Sequence, residues 1–234
     1  AIARDGHVYS FLPSLENIER GNGLLEPELR GINQASTFSG FCGIHDDKIF
    51  APMEKHDFEC SDEQCFLVGY RAIARELYTK TASASTNPML RDMIAAQTND
   101  ERREGLGSIH DVYTAATAVG LENARNSKLA HDAILVERNF EVAASYAVFC
   151  LKKKDVMCSG GFFPEQDFTG NELQDVADLS ATPELLSFAA FSQGGKGWIV
   201  FSWLPGPKEV GIRFVQSFHE IADDNIGDAL VRLF

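Results

Sequence analysis

Leu185-Leu186-Ser187-Phe188-Ala189-Ala190-Phe191 and Gly197-Trp198-Ile199-Val200-Phe201-Ser202-Trp203-Leu204 are two apolar runs joined through Gln193-Gly194-Gly195-Lys196. A Gly-Gly pair accepts the positive φ that both central positions of a tight turn demand, so the stretch reads as a β-hairpin. The turn superficially resembles a phosphate cradle, but it lies between two strands and opens no helix, as a P-loop must. Upstream, residues 156–161 read as a strand ending in glycines. Before them Phe140, Val142, Ala144, Tyr146, Val148 and Cys150 alternate with period two, as one face of a strand does. Downstream, Val210, Phe214, Val215 and Phe218 return to helical spacing, which Ile226, Leu230 and Leu233 continue.

The residues preceding this sheet are helical. Ser61 with Gln64 forms a capping-box pattern, and Phe66, Tyr70, Ile73 and Leu77 then recur on one face through about Lys80. Asn87-Pro88 marks a second helix start, with Met89, Leu90, Met93 and Ile94 along it. Thr98 to Glu104 reads as a surface turn of that same helix. Leu106, Ile109, Val112, Tyr113 and Ala116 restart the stripe, which is expected to end at Gly120. Leu129, Ala133, Ile134 and Val136 indicate a further helix to about Arg138. Residues 1–60 are loop-rich, with a short strand from His7 to Phe11 closed by Pro13, a turn at Gly21-Asn22-Gly23 and a mixed polar stretch after Pro27. The order is that of an α+β protein. A head spans 1–60. A body spans 61–234, with helices over 61–138, antiparallel strands over 140–204 and helices over 207–234.

At 234 residues the chain can bury a substantial core without disulfide staples. Its formal charge of -13 repels phosphate backbones, so a nucleic-acid contact would need a local basic patch. Lys152-Lys153-Lys154 is a tight basic run, whereas Glu101-Arg102-Arg103-Glu104 is self-neutralised. The cysteine count of 5 is odd, no apolar run reaches membrane-spanning length and no signal peptide is visible. These features describe a reduced, cytoplasmic protein with no membrane partner. The chain opens at Ala1 without a methionine and stops at Phe234 inside an apolar pattern, so trimmed ends are expected.

Thr37-Phe38-Ser39-Gly40-Phe41-Cys42-Gly43-Ile44-His45-Asp46-Asp47 sets a thiol and an imidazole on a glycine-punctuated turn, as half a zinc knuckle does. Cys60 and Cys65 follow, so the chain reads C-x2-H-x14-C-x4-C, a spacing that could close round one zinc ion. Cys65 falls inside the capped helix beside Phe66 and reads more simply as a core residue, and Cys150 and Cys158 read as small hydrophobes on strands. Four of the histidines precede an aspartate: His45-Asp46, His56-Asp57, His110-Asp111 and His131-Asp132. Such pairs can share a metal in a phosphohydrolase, or sit as solvated pairs at helix ends. Ser159 lacks the first glycine of a nucleophile elbow. Asp167 heads a polar turn that a structural Asx turn explains equally.

Ala1 to Tyr9, Thr37 to Pro52, Cys158-Ser159-Gly160, Asp167 to Gly170 and Val200 to Leu204 together resemble a group of uncharacterised bacterial proteins, most distinctively at Phe-Cys-x-x-His-Asp. Longer members look as though they begin with a C-x2-C knuckle and a histidine-rich strand, similar to the treble-clef head of HNH-type nucleases. The resemblance implies that Cys42 and His45 are the second half of a zinc site whose first half this chain lacks. The function expected on that basis is a metal-dependent nuclease or nuclease-derived effector, with His7 and Asp46 as nearest catalytic candidates and nucleic acid as partner. Two rivals stand beside it. One is a non-catalytic acidic module that meets a protein partner near Lys196; the other is a phosphohydrolase built on His110, Asp111, His131 and Asp132.

Overall fold

A computed structural model describes residues 5–10, 17, 20, 21, 24, 26–35, 40–143, 145–151, 157–178 and 181–233. Several expectations lie outside these residues: Phe11 and Pro13, Asn22 and Gly23 of the first turn, residues 37–39 of the knuckle stretch, the lysine run, and Ala144 and Val156 of the strands. The fold is α+β. A two-stranded ribbon pairs β1 (His7–Ser10) with β2 (Glu28–Gly31). The main sheet holds β3 (Ser145–Leu151), β4 (Cys158–Phe162), β5 (Leu186–Gln193) and β6 (Lys196–Trp203) in the order β3-β6-β5-β4, with every pairing antiparallel. Gly194 and Gly195 take φ of 59° and 78° at the hairpin turn, where a side chain would be strained.

The helices are α1 (Gly43–Glu54), α2 (Asp62–Ser85), α3 (Asn87–Ala95), α4 (Asp100–Glu137), α5 (Val210–His219) and α6 (Ile226–Val231). Both faces of the sheet are covered. Leu186, Phe188, Ile199, Phe201 and Trp203 pack against Val210, Phe214 and Phe218 of α5 and against Leu230 of α6. On the other face Ala189 and Val200 meet Cys65 and Val68 of α2. Burial on two sides explains why β5 and β6 read as continuous apolar runs although the sheet is antiparallel. Phe41, Phe50, Met53 and Phe58, assigned to the head by the sequence, pack into the clusters that α2 forms.

Helix α2 begins as its sequence indicates, with the Ser61 hydroxyl accepting from Gln64 N at 3.3 Å. The reciprocal half of the capping box is absent. Gln64, buried, instead accepts from Glu59 N at 2.8 Å and donates to Pro52 O at 3.0 Å and Asp57 O at 2.7 Å, tying down the α1–α2 connection. Where α2 crosses the sheet, a Cβ on Gly69 would lie 2.8 Å from Ser187 Oγ and from Ser202 Cβ. Only a glycine lets the helix lie this close.

Three expectations are corrected. Thr98 and Asn99 lie in the connection to α3, but Asp100–Glu104, the expected stop at Gly120 and the separate helix to Arg138 are one helix, α4, of 38 residues, capped by Asn99 and closed by left-handed Arg138. An internal glycine costs only about 1 kcal/mol of helix stability, which packing on α2 offsets. The strand expected from Phe140 starts at Ser145. Phe140 belongs to a helical turn (Phe140–Ala143), and its ring sits 5.0 Å from that of Phe66. The polar stretch after Pro27 is strand β2, steadied by Glu28 accepting from Arg20 at 2.9 Å and Arg30 at 2.7 Å. Among the described residues no helix is long and apolar enough to cross a membrane.

Gly69→Val overpacks the α2–sheet contact and is expected to cost about 1–3 kcal/mol. Urea unfolding checks this, with the loss read as a lower midpoint at unchanged slope.

Candidate functional site

Cys42 is the residue just before α1, with extended backbone, and His45 is the third residue of the helix. Their side chains converge: Cys42 Sγ and His45 Nδ1 are 3.1 Å apart, within hydrogen-bonding reach, and both residues are exposed. The turn therefore presents its sulfur and ring nitrogen to one point, as the knuckle pattern requires. The remaining expected donors are not brought there. Cys65 is 1% exposed, among Phe58, Val68, Ala189 and Val200, and burial pushes its thiol up to about 12. Cys60, exposed and at φ 60°, precedes α2; its thiol is raised by desolvation and by Cys150 nearby, against a lowering by Lys196. Among the described residues no group of three or more His, Cys, Asp or Glu side chains could hold a metal ion. Two donors do not fit the four-ligand structural zinc site that the resemblance implies.

The two catalytic candidates are engaged elsewhere. Asp46 lies 3.4 Å from Arg71, which also meets Glu54 at 2.6 Å and stacks 4.1 Å over the Phe50 ring, so this group fastens α1 to α2. His7 stands on the β1–β2 ribbon with Nδ1 2.8 Å from Asp5 O. Among the described residues, no hydrogen bond or ion pair joins it to Cys42, His45 or Asp46.

The His-Asp pairs do not converge. His110 and His131 lie on the same helix, α4, and 1.5 Å of rise per residue separates them by about 30 Å. His110 Nε2 is 3.2 Å from Asn87 O. His131 is 2% exposed, stacks on Phe66 and donates from Nδ1 to Ser127 O at 2.7 Å. Among the described residues its Nε2 has no partner, and burial lowers its pKa, which keeps the ring neutral. Asp132 accepts from Tyr70 Oη at 2.7 Å, and Lys128 donates to that same hydroxyl at 2.8 Å. This half-buried network joins α2 to α4 as a structural clasp. The Asp167 turn is likewise self-satisfied. Against a desolvation that would raise it, hydrogen bonds from Thr169 and Asn171 hold the carboxyl at about 2.

Comparison with known proteins returns no matching family model, no matching curated protein and no matching solved structure.

The feature that sequence reasoning passed over is the outer part of α2–α3–α4. From residue 75 to residue 123 no residue is buried. This helical arm nonetheless carries Ile109 at 67% exposure and Val112 at 71%, with Ala116 exposed and Val119 half-exposed on the same line. These positions fall at i, i+3, i+7 and i+10, one face of a helix. Met89 and Met93, one turn apart on α3, are exposed as well. The signal was present in the period of Ile109, Val112 and Ala116, but a core-facing stripe has that same period.

Native thiol labelling is expected to modify Cys42, Cys60 and Cys150 within minutes while Cys65 stays unmodified until denaturant is added. Mass spectrometry of the peptides reads this out, and early labelling of Cys65 contradicts the burial described.

Proposed function

We propose that this protein is a non-catalytic interaction module, in which an α+β body holds out the α2–α3–α4 arm and the outer face of α4 docks a protein partner. The observation that carries this reading is the exposed line of Ile109, Val112, Ala116 and Val119 on an arm without a buried residue. Contiguous apolar surface held in water is unfavourable unless something covers it, and such surfaces mark interaction sites. The position differs from the hairpin near Lys196 that the sequence suggested. There Lys196 lies 5.5 Å over the Trp198 ring and Gln193 donates to His56 O at 3.0 Å, so the turn is occupied by internal contacts. The charge of -13 also suits a protein partner better than a nucleic acid. The free cysteines are in keeping with a reducing compartment such as the cytoplasm.

The 3.1 Å approach of Cys42 and His45 favours a second reading, in which the pair supplies two of the donors to a zinc ion. Near-stoichiometric zinc in the purified protein, lost on Cys42→Ser, is the result that this reading requires.

Ile109→Lys with Val112→Lys is expected to leave stability within about 0.5 kcal/mol of the parent, because both side chains already face water. A photo-reactive residue at position 116, introduced in the cell of origin, should give one discrete cross-linked species that the double variant abolishes. The same probe at position 220 should give none. An equal pattern from both positions, or cross-linking indifferent to the double variant, overturns the docking reading.

A further inference from the structure

The apolar line on α4 has an acidic border. At 3.6 residues per turn, Glu104, Asp111 and Glu122 fall within about 20° of one another, about 100° round the helix from the line of Ile109, Val112, Ala116 and Val119. All three carboxylates are exposed. They stand about 10 Å and about 16 Å apart along the axis, at 1.5 Å per residue. Glu122 has Arg125 at 3.9 Å, an exposed contact that water screens. The other border is the side of α2. It carries Tyr113, whose hydroxyl is 2.7 Å from Ser83 Oγ, and Gly120, where a Cβ would lie 3.5 Å from Lys80 Nζ. Lys80 is itself paired with Glu76 at 3.0 Å, and Arg102 stands further along that border.

From this asymmetry we infer that the occupant of the α4 face is a basic amphipathic helix. Its apolar stripe lies along Ile109, Val112, Ala116 and Val119, and its lysines or arginines reach Glu104, Asp111 and Glu122. The inference rests on the docking reading above and adds the chemistry of the partner. Three properties of the site select it. The face is itself a ridge on one continuous helix, against which a second helix packs side by side at 8–10 Å. The attraction is one-sided, because Lys80 and Arg102 lie opposite the carboxylates, and this sets which flank of the partner is basic. Long basic side chains can lay their methylene stems on the apolar stripe while their charges reach the carboxylates. A second copy of this chain fits less well. In an antiparallel pair of α4 helices the acidic border meets its own counterpart, and each copy brings a charge of -13.

The probe is a synthetic amphipathic peptide of ~18 residues, leucine on one stripe and lysine along one flank, compared with the same peptide carrying glutamate for lysine. Binding to the full chain is measured by fluorescence anisotropy at low and high salt, with circular dichroism confirming that each variant is folded. The lysine peptide should bind and the glutamate peptide should not. Glu104→Lys, Asp111→Lys and Glu122→Lys together should weaken the lysine peptide about tenfold, with salt doing the same to the parent. The reversed protein should in turn accept the glutamate peptide. If both peptides bind alike and only Val112→Lys abolishes binding, the docking face stands and the basic partner is overturned. If neither peptide binds, or if light scattering gives twice the chain mass in a manner that Val112→Lys abolishes, the basic helix is overturned too. Loss of the position-116 cross-link remains the separate criterion for the docking reading itself.

Discussion

One helix has to live in two environments, and the contact that permits it is the close passage of Gly69 over Ser187 and Ser202. The first half of α2, from Gln64 to Ala74, is buried between the sheet on one side and α1 and α4 on the other, except at Arg71. The second half leaves the body and becomes one side of the arm. Had the crossing point carried a side chain, α2 would stand off the sheet, and the line of the arm would change with it. The clasp of Tyr70, Lys128 and Asp132 then fixes α4 to α2 at the root, and the stacked rings of Phe66, Phe140 and His131 fill the space beside it. The arm is thus aimed by packing that lies wholly at its base.

The consequence for function is a division of labour along α4. Residues 124–137 contribute Ala124, His131 and Ile134 to the interior, while residues 100–123 bury nothing. Stability is therefore concentrated in the body, where apolar side chains meet on both faces of the sheet. The arm is left to be specified by what it touches. Local stability is expected to fall toward the α3 tip, where the backbone hydrogen bonds of the helices are the most exposed to water.

Legibility in the sequence followed how much a residue's role depends on its neighbours in the chain. The Ser61 cap, the Gly194-Gly195 turn and the helical periods of α2 and α5 are local, and each was readable. The proximity of Cys42 and His45 was readable too, because an N-cap residue and the third residue of its helix lie together at the first turn. Cys65 was ambiguous for the opposite reason: whether a thiol inside a helix faces an ion or a strand depends on residues more than a hundred positions away. The His-Asp pairs left a metal reading open because two motifs on separate expected helices could meet, whereas two on one unbroken helix cannot. Gly120 reads as a stop, and only the packing of α4 along α2 overrides its weak helical propensity.

What the chain alone determined is the alternation of element types: helices before an antiparallel hairpin-centred sheet and helices after it, set by hydrophobic period, caps and glycine turns that act over a few residues. Tertiary structure decided which apolar stripe would be covered. Ile73 and Val112 follow the same helical spacing, yet the first lies against the body and the second faces water. Periodicity says that a helix has an apolar face. Whether another part of the protein reaches that face is a property of the assembled fold, and for α4 nothing in the described body does.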